Sequence, residues 1–127
     1  MKILIVNCPR TKAPMFTLRD EICFQDVKYV PFPMRLAMTA AIVREAGHEV
    51  KVIDANALRL TWEELEPMLT SCDAVITQSA AGVLDHDMKL APMVKKACGN
   101  ATRFVMIETV ISPIFPERVM ADYPQAD

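Results

Sequence analysis

Apolar and polar positions along the chain fall into alternating blocks. Residues 2–7, Lys-Ile-Leu-Ile-Val-Asn, form an unbroken apolar run, the pattern of a strand buried on both faces of a parallel sheet. Asn7, Cys8, Pro9 and Arg10 end it. Residues 8–32 show no periodicity and read as a loop punctuated by prolines, of a length that compact domains usually reserve for function. Pro33 suits the first turn of a helix over 34–46, where Leu36, Ala40, Val43 and Gly47 share one stripe and Met34, Met38 and Ile42 another; Gly47 stops it. Residues 49–54 place Val50 and Val52 on one face and Lys51 and Ile53 on the other, as an edge strand would. Thr61-Trp62-Glu63-Glu64 is a capping box opening a short helix that ends near Thr70.

The second half repeats the alternation. Residues 73–78 read as a third strand, followed by the small-residue loop Ser79-Ala80-Ala81-Gly82. A helix is expected over 86–98, with Asp85 as N-cap, Leu90, Val94 and Ala97 inward, Lys95 and Lys96 near its end, and Gly99-Asn100 as the stop. Residues 103–107 give a fourth strand and 116–120 a short helix. Strict alternation predicts one α/β domain over residues 1–127. Its fold is a doubly wound, Rossmann- or flavodoxin-like open parallel sheet of four strands with helices on both faces.

Composition changes this picture little. The net charge of −2 gives no electrostatic case for nucleic acid or an anionic membrane. No apolar run approaches the roughly 20 residues that span a bilayer. The first apolar run is too short for a signal peptide, so the cytoplasm is the expected compartment. Cys8, Cys23, Cys72 and Cys98 have no metal-clip or CxxC spacing and read as free thiols. The nine methionines fall mostly at helical core spacing and call for no cofactor.

In an open parallel sheet, ligands bind beyond the carboxyl ends of the strands, where strand order reverses. The residues expected there are Asn7 to Arg10, Asp54 to Asn56, Thr77 to Gly82 and Glu108 to Ser112, rich in small and hydroxyl side chains and poor in acid–base groups. With three glycines and none in the first loop, the chain has no dinucleotide fingerprint, and it has no P-loop. Asn7-Cys8 and Gln78 stand where a phosphoacceptor domain has acids. His48 reads as a solvated turn residue. His86, between Asp85 and Asp87, reads as a surface residue at a helix start, with ligand contact or axial ligation as the alternative. Cys8 lies beside the site, with only Arg10 near in sequence to activate it.

Residues 33–57, together with Ile5-Val6-Asn7-Cys8-Pro9-Arg10, Cys72-Asp73-Ala74-Val75-Ile76-Thr77-Gln78-Ser79 and Pro116-Glu117-Arg118-Val119, resemble a known family in order and spacing. They look like the N-terminal cobalamin-binding domain of cobalamin-dependent radical S-adenosylmethionine enzymes. The resemblance implies that cobalamin (vitamin B12) sits with its nucleotide tail in the sheet crevice and its corrin over the strand ends, facing a radical S-adenosylmethionine barrel. It implies that the whole enzyme is a methyltransferase or relative. It places Thr77 and Ser79 against the tail and makes Gly82 a point of close approach. It implies that the 8–32 loop, with Cys8, Pro9 and Arg10, borders the corrin, that Asn7 and Thr109 also line the cofactor site, and that Glu108 brings a carboxylate near the phosphate. The DxHxxG motif of cobalamin carriers is absent, as in many members of the radical family. The family's Gly-Gly pair is replaced by Glu108-Thr109, whose side chains are expected to narrow the pocket. The fifth strand and the barrel, with its 4Fe-4S cluster and S-adenosylmethionine, are expected beyond residue 127. The open edge beside the fourth strand is expected to favour self-association. The alternatives are a cofactor-free interaction domain of the same fold and an α/β domain for another nucleotide-like ligand such as a flavin.

Overall fold

The computed structural model of the protein describes residues 1–9, 33–80, 83–107 and 114–126. Strands β1 (Lys2–Asn7), β2 (Glu49–Asp54), β3 (Ala74–Gln78) and β4 (Arg103–Ile107) form one sheet in the order β2-β1-β3-β4, with every pair parallel. This is the open, doubly wound α/β arrangement that the alternation predicts. Burial follows strand position. Residues Ile3 to Asn7 of central β1 are buried, whereas β2, at an edge, buries only Ile53. Among the described residues, β4 lies at the other edge.

Helices cover both faces. On one, α1 (Met34–Glu45) lays Leu36 on Ile3, Ile5 and Ala74, with Ala40, Val43, Val50 and Ile76 packed around them. On the other, Leu4, Val6, Ile53, Val75 and Phe104 meet three helices. These are α2 (Trp62–Leu65, extended by a 3-10 turn over Glu66–Met68), α3 (Leu84–Asp87) and α4 (Leu90–Cys98). The last element, α5 (Pro116–Asp122), buries Val119.

Several expectations are corrected. Residues 86–98 are two helices, not one. Pro92 has no N–H to offer the Met88 carbonyl, and its ring crowds that carbonyl, so the ladder breaks over Met88-Lys89. Met88 still donates to the Leu84 carbonyl, and Ala91 turns tightly onto the Met88 carbonyl. The N-cap of α3 is Val83, without a side-chain cap, and Asp85 lies inside the first turn. In α4, Leu90, Ala91 and Val94 are buried as expected, whereas Ala97 is exposed. The short helix ends at Met68 rather than near Thr70, because Pro67 interrupts the ladder and leaves a 3-10 turn. The third strand begins at Ala74. Met34, Met38 and Ile42 of α1 are 57%, 57% and 66% exposed, so these methionines are not core. At about 100° per residue they fall on the side of α1 opposite Leu36.

The capping box is present in full: the Glu64 amide donates to Thr61 Oγ1 (3.3 Å), and the Thr61 amide donates to Glu64 Oε2 (2.8 Å). Gly47 and Gly99 stop α1 and α4 at φ +86° and +99°, a region that L side chains rarely enter.

Candidate functional site

Strand order reverses at β1. The chain crosses from β1 to β2 over one face, then from β2 past β1 to β3 over the other. The crevice is therefore expected between the carboxyl ends of β1 and β3. Asn7, Cys8 and Pro9 leave β1 there, and Thr77, Gln78 and Ser79 close β3 beside them.

Of the residues implicated by sequence, Asn7, Cys8, Pro9, Thr77 and Ser79 are brought together at this point. Arg10, Gly82, Glu108 and Thr109 lie outside the described residues, as does the loop from residue 10 to residue 32. All five that are described are buried. Their polar groups point into the protein. The Thr77 hydroxyl donates to the Val6 carbonyl (2.8 Å). Its one proton is thereby used, so the Cys8 thiol, 3.4 Å from Thr77 Oγ1 and 4.0 Å from the Asp87 carbonyl, acts as donor to that pair. The Ser79 hydroxyl donates to Asp87 Oδ2 (2.8 Å), and both residues are almost fully excluded from solvent. At the rim, Asn7 Nδ2 donates to Asp54 Oδ1 (2.8 Å), which also accepts from the Ala57 amide (2.9 Å). The fully buried Cys8 lacks the exposure that reactive thiols need.

His86 is half-buried rather than a solvated surface residue. Its Nε2–H donates to the Pro9 carbonyl (3.0 Å), and its ring packs on Trp62 at 5.2 Å between centroids. This joins the exit of β1, the start of α2 and α3. Tyr123 extends the tie to α5 by donating its hydroxyl proton to Asp85. Burial, and then Asp85, push the Tyr123 phenol up to about 12.

Asp87 and Trp62 were not among the expected site residues. The sequence signal for Asp87 was faint: an acid placed by α3 eight residues beyond Ser79, which no local pattern marks as buried. A separate groove of about 340 Å³ lies between α1 and β2, lined by α1 alanines, Val50 and Val52, with Arg44 and Asp54 as its charged residues. It sits at the sheet edge and shares only Asp54 with the strand ends. Among the described residues, no group of three or more His, Cys, Asp or Glu side chains is placed to hold a metal ion, and no helix is long and apolar enough to cross a membrane. The chain matches no protein-family model, no curated protein and no solved structure.

Proposed function

We propose that this chain is a cobalamin-binding module, seating the cofactor's nucleotide tail at the crevice between β1 and β3. The observation that carries the proposal is the strand order β2-β1-β3-β4, which reverses beside Asn7–Pro9 and Thr77–Ser79. The resemblance of the chain to cobalamin-binding domains of radical S-adenosylmethionine enzymes supplies the ligand.

The described side chains fit this ligand in one respect and not in another. The hydroxyls of Thr77 and Ser79 are spent inside the protein, so they do not fit as donors to the tail. They hold the floor instead. An apolar ring laid on a floor whose hydroxyl and thiol groups are already paired strands none of those donors, and so incurs little desolvation penalty. Bound cobalamin would supply methyl-carrying organocobalt chemistry. The chain's own residues would hold and orient it, with His86 fixing the β1 exit through the Pro9 carbonyl. Catalysis would belong to a radical S-adenosylmethionine barrel acting as partner, since the 127 residues contain no CxxxCxxC cluster motif.

The inward pairing of Cys8, Thr77 and Ser79 favours a second reading, a cofactor-free interaction domain of the same fold. Gel filtration after mixing with hydroxocobalamin separates the two. A stoichiometric corrin spectrum in the protein peak is expected from the first. A colourless peak from folded protein supports the second, and binding of a flavin with quenched fluorescence would replace cobalamin by another ligand. Glu108→Gly should tighten cobalamin binding by removing a side chain where the family has bare backbone; unchanged binding in the same assay would dismiss Glu108 as an obstacle.

A further inference from the structure

At the opposite end of the sheet, the fold brings together two cysteines that the sequence keeps 26 residues apart. Cys72 lies on the segment entering β3 and Cys98 is the last residue of α4, and their sulfurs are 3.8 Å apart. The backbone around them is held by a single side chain: Thr102 Oγ1 lies 3.0 Å from the Cys72 carbonyl and 3.1 Å from the Cys98 carbonyl. Lys95 Nζ donates to the carbonyl of the same threonine (2.7 Å). The Cys98 thiol donates to the Thr70 carbonyl (3.1 Å), and the Cys72 thiol donates to the Cys98 sulfur. Both cysteines are half-buried, within reach of a small reagent. Neither serves the crevice.

We propose that Cys72 and Cys98 are a built oxidation site, closing to an intramolecular disulfide in exchange with a low-molecular-weight disulfide such as oxidised glutathione. In the first step one protein thiolate attacks a sulfur of the reagent, forming a mixed disulfide and expelling one reagent thiolate. In the second, the other protein thiolate attacks the protein sulfur of that mixed disulfide and expels the second. The two protein protons end on two reagent thiols, and the two electrons lost by Cys72 and Cys98 reduce the reagent's S–S bond.

Burial, and then the neighbouring Cys98, push the Cys72 thiol up to about 12. Closure needs the Cys72 thiolate in one of its two steps, so its rate rises with pH. In the closed form burial still disfavours a Cys72 thiolate, which makes Cys72 the poorer leaving group when a reductant attacks the Cys98 sulfur. The covalent loop spans residues 72–98 and so contains β3, Ser79, α3 and Asp87, half of the crevice floor. Closing it restrains the unfolded chain more than the folded one.

The test treats the whole native chain with oxidised glutathione at mildly alkaline pH, quenches with acid, alkylates and digests with trypsin without reduction. The four cysteines fall on separate peptides, residues 3–10, 20–28, 60–89 and 97–103. Peptides 60–89 and 97–103 should run as one linked species that separates on reduction, while Cys8 on 3–10 is not part of it. Recovery of 60–89 and 97–103 apart, alkylated or carrying glutathione, or linked to another cysteine, overturns the proposal. Cys72→Ser and Cys98→Ser should each abolish the linked species and Cys8→Ser should keep it; if a variant fails to fold, the peptide map of the unaltered chain decides alone.

Discussion

At the crevice, Ser79 and Asp87 share a hydrogen bond in a place where water is excluded. Ser79→Ala removes one hydrogen bond to a buried carboxylate, which costs about 1–3 kcal/mol. Urea unfolding should show that loss, whereas a wild-type midpoint would mean that the pair contributes little. Tyr123 gives a pH-dependent counterpart. Its phenol is raised from 10.0 to about 12, so the folded state holds the proton more tightly than the unfolded state. That contribution is complete below pH 10 and is lost as pH rises toward 12. Cys72, raised from 9.0 to about 12, acts in the same sense. The melting temperature should therefore fall across this alkaline range, and less steeply in Tyr123→Phe; an unchanged slope would remove Tyr123 from the explanation. Position along the strands was enough to bring Asn7, Cys8, Thr77 and Ser79 together from sequence. What their polar atoms bond to was not legible, because Val6, Asp54 and Asp87 become partners only through register and through the placement of α3.

Helix ends were the most legible elements where a side chain acts on its own neighbours. The Thr61–Glu64 box is a local pattern with local consequences, and it formed as read. Thr61→Ala should cost about 1 kcal/mol, the usual worth of an N-cap, measured by the same unfolding curves. Gly99→Ala meets no atom within 4 Å, yet its φ of +99° strains any L side chain, so a loss of order 1–3 kcal/mol is expected from backbone alone. No loss would mean that the turn relaxes to negative φ. The break between α3 and α4 is not visible in the apolar spacing over 86–98; its mark in the sequence is Pro92, which has no N–H for the Met88 carbonyl. The exposure of Met34, Met38 and Ile42 was missed for a different reason: two apolar stripes on α1 compete, and only the packing of Leu36 on Ile3 and Ile5 decides which faces the sheet.

For the molecule as a whole, strand pattern carried most of the information. A continuous apolar β1 must be covered on both faces, an alternating β2 need not be, and the observed order places them at the centre and at an edge. That order fixes where the crevice lies, and thereby the central functional claim. Amide chemical shifts of the isotopically labelled chain, followed during titration with hydroxocobalamin, test it most directly. Shifts gathered at Asn7, Cys8 and Gln78–Ala80, saturating at one equivalent, are expected. A spectrum that does not change, or shifts confined to the α1–β2 groove around Ala37, Ala41 and Val52, would contradict cobalamin binding at the crevice.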